Sequence, residues 1–252
     1  MSEPIECTCA HCGHRFEVLP TPKHRVMCGD VLTAADLAAL LAGEKAELLA
    51  TDPPYNVGMD YSEETDDSKN KEEYQAFTQR WFASVRPVTE RQIVTPGCNN
   101  LSLWLRLFEP YHVAPWIKTN AMTNGKVARW WCWEPLLFFG EKWRRERPND
   151  VFDFPAGTHK DTGDHPCPKP VRLWAELLRH YSGAGGWVLD CFLGSGTTLI
   201  AAEQVGRRCA GLDISPAYVD TALLRWINLT GGMPLLESTG QSFAEVKHER
   251  LD

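Results

Sequence analysis

A carboxylate, two prolines and a tyrosine follow one another at Asp52-Pro53-Pro54-Tyr55, directly after the apolar run Ala46-Glu47-Leu48-Leu49-Ala50. The run reads as a buried strand. The prolines must end it, because neither can donate to a ladder. Proline also presets φ, so the carbonyls of Asp52 and Pro53 and the ring of Tyr55 keep little conformational freedom. Acceptors fixed beside an aromatic face suit a flat ring with an exocyclic amine: the acceptors take the amino protons and the tyrosine stacks on the ring. The two prolines alone would read as an ordinary turn.

A second stretch has chemistry of a different kind. Gly186-Trp187-Val188-Leu189-Asp190 is an apolar strand ending in a carboxylate, and Cys191-Phe192-Leu193-Gly194-Ser195-Gly196 turns it into a helix over residues 197–205, with Gly206 as the stop. Glycines let another molecule approach the backbone closely, and a helix N-terminus offers N–H groups to a carboxylate. This is not a Walker loop, because no Gly-Lys-Ser/Thr follows, and Leu199 stands where a dinucleotide loop has its third glycine. Arg208-Cys209-Ala210-Gly211-Leu212-Asp213 is a further strand ending in an acid, at close to the ~20-residue spacing that suits ribose hydroxyls.

The elements that must position these strings follow from pattern. His24 to Cys28 reads as a strand closed by Gly29-Asp30-Val31, and residues 33–42 as a short helix with Thr33 as cap. With the strand before Asp52 they make a right-handed crossover in a parallel sheet. Asp60 to Glu73 has seven acidic and two basic residues and no apolar period, which reads as a solvated loop. Helices are expected at 74–85 and 101–108, and strands at 92–95 and 136–139. His165-Pro-Cys-Pro-Lys169-Pro170 is an extended entry to an amphipathic helix, Val171 to Tyr181. A last helix is expected at 218–227, then a polar tail over 231–252.

Composition bounds the rest. A chain of 252 residues holds one α/β domain with little left over, and 43% apolar with 23% charged residues is ordinary for a globular protein. With no apolar run of about 18 residues and no basic-then-apolar leader, a cytoplasmic protein that neither enters a membrane nor is secreted is expected. Nine scattered cysteines suit reduced thiols better than a disulfide framework. Cys7, Cys9 and Cys12 resemble one zinc knuckle, with Cys28 the candidate fourth ligand. Structural zinc normally takes two such pairs, so residues 1–20 read first as a Cys-rich tail, with a zinc knuckle the alternative. The net charge of −7 argues mildly against a nucleic-acid partner, but local patches decide. Residues 116–147 hold five of the ten tryptophans, Trp116, Trp130, Trp131, Trp133 and Trp143, and seven basic against three acidic residues lie between Lys118 and Arg147. Lys142, Arg144, Arg145 and Arg147 are the candidates for phosphate contact, whereas Trp133 reads as core.

The Asp-Pro-Pro-Tyr string resembles the fourth motif of the amino-group DNA methyltransferases, which methylate adenine N6 or cytosine N4 with S-adenosyl-L-methionine. Four strings across about residues 24–228 carry the resemblance, catalytic string first and glycine turn last, the permuted order of the beta class. The resemblance implies a doubly wound, mostly parallel, seven-stranded α/β sheet, with a catalytic domain over 21–230 and a small recognition segment at 118–164. It implies catalytic roles for Asp52, Pro53, Pro54 and Tyr55. It places Asp30 and Val31 at the cofactor's adenine, Asp213 at its ribose, and Lys169, Asp190, Phe192, Gly194, Ser195, Gly196 and Thr197 around the methionine. An aspartate in the string's first position looks more like the adenine-N6 enzymes, with cytosine N4 the alternative. Double-stranded DNA is the implied partner, and monomer and homodimer stay open, as does a companion restriction enzyme.

A nicotinamide-dependent oxidoreductase would need no Asp-Pro-Pro-Tyr, and a zinc-dependent nucleic-acid-binding module would leave both main strings idle. If the basic stretch contacts phosphates, replacing Arg144 and Arg145 together by alanine flattens the log–log salt dependence of DNA binding by about one unit per lost contact. Titrations at several salt concentrations that return an unchanged slope place the patch elsewhere.

Overall fold

The computed structural model describes residues 24–58, 68–120, 132–141, 143, 149–157 and 169–246, and the backbone alone of 5–8, 15–18 and 247–249. Lys142, Arg144, Arg145, Arg147, Cys9 and Cys12, expected to contact phosphate or to form the knuckle, lie outside these residues, as does the side chain of Cys7. Within residues 1–20, where a tail was expected, β1 (Ile5–Thr8) and β2 (Arg15–Val18) pair antiparallel as a sheet of their own.

The chain then builds β3 (Arg25–Cys28), α1 (Ala34–Leu41), β4 (Ala46–Thr51), α2 (Lys71–Val85), β5 (Thr89–Val94) and α3 (Leu101–Leu107). There follow β6 (His112–Ile117), β7 (Trp133–Gly140), β8 (Phe152–Asp153), α4 (Val171–Tyr181), β9 (Trp187–Asp190), α5 (Thr197–Val205), β10 (Arg208–Asp213), α6 (Pro216–Thr230) and α7 (Phe243–Glu249). The sheet order is β3-β10-β9-β4-β5-β7-β6-β8. Seven strands run one way and only β7 opposes them. The mostly parallel character expected from sequence holds, but the sheet has eight strands rather than seven. The additional edge strand is the two-residue β8.

Both faces of the sheet are covered. Leu48, Ile93, Leu136, Phe138 and Val188 pack with Leu173, Trp174, Leu177 and Leu178 of α4 and with Ala201 and Ala202 of α5. Leu49, Val94, Leu137, Phe139 and Leu189 pack on the other face with Leu37 and Leu40 of α1, Trp81, Phe82 and Val85 of α2, and Trp104 of α3. Burial on both sides is why the strands read as continuous apolar runs. From β4 the chain proceeds outward through α2 to β5, and from β9 it proceeds the opposite way through α5 to β10. The β4/β9 boundary is therefore the point at which the winding reverses, and the C-terminal ends of those strands open a crevice there.

Three local differences from the sequence reading have plain causes. α2 begins at Lys71, three residues earlier than apolar periodicity indicates, because Asn70 and Glu73 form a reciprocal capping box. β6 was not anticipated, since Pro115 demotes a strand. It is tolerated because Pro115 stands opposite Pro135 of β7, so neither strand leaves a donor unmet at that pair. The segment after Gly232 is not a featureless tail: Leu235 bridges Ser242, and α7 follows.

Gly196 shows how closely the glycine turn fits. Its φ is +83°, and a Cβ there would lie 2.7 Å from the Ala222 Cβ on α6. Gly196→Ala combines a left-handed backbone with a clash against another helix. It is expected to destabilise by about 1–3 kcal/mol, read as a lower melting temperature. An unchanged melting temperature would mean that α6 moves aside freely.

Candidate active site

β4 ends at Thr51, and the next four residues carry a compact polar cluster. The Asp52 Oδ1 accepts the hydroxyls of Thr95 at 2.6 Å and of Tyr55 at 2.7 Å, while Oδ2 lies 2.5 Å from the Lys169 ammonium. The Tyr55 hydroxyl is also 2.9 Å from Oε2 of Glu134 in β7. Lys118, one residue past β6, pairs with the other Glu134 oxygen, and Lys169 stands 3.8 Å from Glu134. The Lys169 ammonium also lies over the Tyr55 ring, 4.9 Å from its centroid.

The backbone of the string is pinned selectively. The Pro54 carbonyl accepts the Tyr74 hydroxyl at 2.8 Å, and the Tyr55 carbonyl accepts Asn100 Nδ2 at 2.8 Å. Among the described residues none donates to the Pro53 carbonyl. Gly97, with φ of +72°, lies so close to Tyr55 that a Cβ would sit 3.2 Å from a ring carbon. The glycine is needed for the tyrosine ring to lie where it does.

Electrostatics follow from this packing. Burial opposes the Glu134 charge, but Lys169 and Lys118 outweigh it and hold the carboxyl below its ordinary value. Burial, then the Asp52 and Glu134 carboxylates, raise the Tyr55 phenol well above its ordinary value, so it stays a hydrogen-bond donor. Burial and Glu134 push the Cys98 thiol up to about 11, and burial likewise raises Cys191 and Cys209. None of these three thiols is a thiolate at neutral pH.

Asp190 joins this cluster to the glycine turn. Its Oδ1 accepts the Thr51 hydroxyl at 2.6 Å and the Phe192 N–H at 3.1 Å, and its Oδ2 accepts the Thr198 hydroxyl at 2.5 Å. Across the turn, Asp213 accepts the Gly194 N–H at 2.7 Å and the Ser215 N–H at 2.9 Å. Arg225 of α6 donates to the Ser195 carbonyl and hydroxyl. Phe192 packs edge-on against Trp81, 5.1 Å between centroids. At the end of β3, Asp30 accepts the Leu32 N–H at 2.9 Å, and Val31 is buried in the core with its carbonyl taken by Ser84.

Asp30, the Asp52–Tyr55 string, the glycine turn and Asp213 thus meet along the C-terminal ends of β3, β4, β9 and β10, while of the His165–Pro170 string only Lys169 and Pro170 are among the described residues. Two residues assigned to the cofactor by resemblance sit differently. The Lys169 ammonium is delivered to Asp52 and Tyr55, and only its carbonyl touches the glycine-turn helix, through the Thr197 hydroxyl. The Asp190 carboxylate is committed to Thr51, Thr198 and Phe192. Sequence reasoning missed Glu134, Lys118 and Thr95. A glutamate inside an otherwise apolar strand buried on both faces was the signal for Glu134. Lys118 was counted with the outward basic stretch, yet it turns inward. Trp116 is core, with its Nε1 on the Phe154 carbonyl, and Trp133 is half-buried.

The groups present fit a nucleoside carrying an amino acid. Asp213 ends β10 beside the glycine turn, and α5 begins without a side-chain cap, leaving its first N–H groups for a carboxylate. An α/β sheet with this crevice is the S-adenosylmethionine-dependent methyltransferase fold. The solved M1.HpyAVI–SAM complex has it with a TM-score of 0.63 at 18% identity, over 81% of this chain and 99% of that one. The PvuII cytosine-N4-specific DNA methyltransferase superposes with a TM-score of 0.61 at 18% identity, covering 80% and 85%.

The sequence model of the DNA methylase family matches residues 113–224. Type II methyltransferase M.HpaI of Haemophilus parainfluenzae is 26% identical over 234 residues, spanning 79% of this chain and 72% of that protein. Type II methyltransferase M1.MboII of Moraxella bovis is 25% identical over 255 residues, spanning 79% and 94%. The chain is thus similar to N6/N4 amino-group DNA methyltransferases, and S-adenosyl-L-methionine is the methyl donor that goes with that family. Among the described residues no helix is long and apolar enough to cross a membrane.

Asp190 generates a pH prediction. Burial, only partly offset by its two threonines, raises its pKa from 3.8 to about 6. A group raised on folding binds its proton more tightly in the native state, so its stabilising share is complete below pH 4 and declines as pH rises towards 6. Asp190→Asn is expected to remove that decline, seen as a pH-dependent difference in chemical denaturation between the two proteins. A constant difference from pH 4 to 7 would mean that Asp190 does not titrate there.

Proposed function

We propose that the protein is a beta-class DNA methyltransferase that transfers a methyl group to the N6 amine of adenine in double-stranded DNA. One observation carries this reading. The Asp52 carboxylate stands beside a Pro53 carbonyl that no described residue uses, at a strand end tied through Asp190 to the glycine turn. Bound S-adenosyl-L-methionine supplies an electrophilic methyl group. Asp213 would hold its ribose, Asp30 and Val31 its adenine, and Phe192, Gly194, Ser195, Gly196 and Thr197 its methionine portion. Residues 21–230 form the catalytic unit in this reading, and residues 118–164, with Lys142, Arg144, Arg145 and Arg147, recognise DNA.

The chemistry of this chain's residues is then definite. An exocyclic amine is a poor nucleophile while its lone pair is delocalised into the ring. Asp52 and the Pro53 carbonyl each accept one amino proton, which favours a tetrahedral nitrogen with a directed lone pair. Pro53 and Pro54 keep these acceptors fixed, so little reorganisation accompanies the reaction. As the N–C bond forms, the bond from methyl to sulfonium sulfur would break with its electron pair staying on sulfur as a neutral thioether, and the nitrogen, now positively charged, gives one proton to Asp52. No cysteine is needed as a nucleophile. Because the amine cannot be reached inside a duplex, the base must leave the stack, at a cost of a few kcal/mol offset by stacking on Tyr55.

Adenine is favoured over cytosine by resemblance of the string beginning with Asp; both bases offer the same amine. The test is methylation of duplex DNA by the purified protein, followed by digestion to nucleosides. N6-methyladenine is expected, and N4-methylcytosine alone would overturn the base while sparing the mechanism. Asp52→Ala is expected to lower turnover at least about 100-fold with cofactor affinity nearly intact. Retained turnover in that variant would exclude Asp52 as the acceptor.

A further inference from the structure

Glu134 is 6% exposed in a strand whose neighbours Pro135, Leu136, Leu137, Phe138 and Phe139 are apolar. A buried carboxylate with two lysines around it is weak evidence of stabilisation, since apolar residues of similar size commonly serve a core as well. The proposed reaction, on which this inference rests, assigns Glu134 no part. What it does touch is the Tyr55 hydroxyl.

That hydroxyl has one proton and two carboxylate acceptors, Asp52 Oδ1 at 2.7 Å and Glu134 Oε2 at 2.9 Å. It can serve only one of them at a time. Asp52 is already crowded, with Oδ1 accepting from Thr95 as well as Tyr55 and Oδ2 facing Lys169. Of its roughly four lone-pair sites, three are therefore taken before any amine arrives. Turning the Tyr55 O–H towards Glu134 frees an Oδ1 site without moving a heavy atom. The tyrosine keeps a hydrogen bond to a charged acceptor throughout.

We propose that Glu134 is a positioning residue of the reaction: it receives the Tyr55 hydroxyl proton as a hydrogen bond when the target amine engages Asp52. No proton is transferred and no bond to carbon changes in this step; only the O–H direction does. Lys118 fixes which Glu134 oxygen is available, because it pairs with Oε1 and leaves Oε2 for the tyrosine. Glu134, held by the two lysines, thus provides the alternative acceptor that lets a rigid site take up its substrate without losing a hydrogen bond.

The test is a double-mutant cycle in the full-length protein with duplex DNA and S-adenosyl-L-methionine. In Glu134→Gln, Lys118 retains the amide oxygen, the amide NH₂ faces Tyr55, and the hydroxyl is locked onto Asp52. kcat is expected to fall about tenfold, with cofactor Kd unchanged. In a Tyr55→Phe background there is no hydroxyl to lock, so Glu134→Gln should cost less than about twofold further. Equal losses in both backgrounds, or no loss in either, would overturn the proposal. Glu134→Asp keeps the charge for the lysines but withdraws the acceptor. It should show the same dependence on Tyr55 and serves if the amide does not fold. A wild-type protein that methylates no DNA would instead defeat the proposed function itself.

Discussion

Asp190 lies at the end of β9, and each of its oxygens takes a threonine hydroxyl from a different half of the site. Thr51 belongs to the strand that presents Asp52, and Thr198 to the helix that follows the glycine turn. A buried carboxylate without partners would be costly, so this arrangement persists only while both threonines are in place. It fixes the separation between the two strings more strictly than sheet pairing does, because β4 and β9 share only a short stretch of register, at Leu48 and Leu49. The short ladder is what opens the crevice, and Asp190 closes the ladder just below it.

The second constraint is charge. Asp52 and Glu134 face Lys118 and Lys169, two of each sign, within a few ångströms of Tyr55. Both lysines come from the extended ends of their elements, Lys118 just past β6 and Lys169 just before α4, where long side chains can reach inward while the backbone stays at the rim. Lys169 also couples to α5 through its carbonyl. The Asp52–Tyr55 string is therefore braced by three independent elements, and none of them donates to the Pro53 carbonyl.

Much of this was legible from sequence, for reasons that differ by element. Parallel strands buried on both faces give continuous apolar runs, and their ends are marked by Asp30, Asp52, Asp190 and Asp213. Helices were placed within a few residues, and errors fell where side chains decide the ends, as at the Asn70–Glu73 box. The two strings were legible because prolines and glycines constrain the backbone locally. What escaped was long-range: Glu134 lies 79 residues from Tyr55 and Lys169 lies 117 from Asp52. No local pattern could pair them. β6 escaped because Pro115 argues against a strand until its partner is known to be Pro135, and β8 because its two residues are too short to show a pattern.

The prolines do more than end a strand. Three successive carbonyls follow β4, and their fates differ: Tyr74 takes that of Pro54, Asn100 takes that of Tyr55, and no described residue donates to that of Pro53. Tyr74 comes from α2 and Asn100 from the turn before α3, so the string is clamped from the sheet face that carries the Trp81–Phe82–Trp104 cluster. A clamp on the two residues that follow orients the preceding Pro53 carbonyl without occupying it. Preorganisation of this kind explains why two prolines stand together: one would end the strand, but two also remove the N–H groups that could satisfy a nearby acceptor. In the proposed reaction Asp52 and the Pro53 carbonyl are thus directed before any substrate arrives, with Glu134 holding the Tyr55 hydroxyl and Thr95 bonded to Asp52.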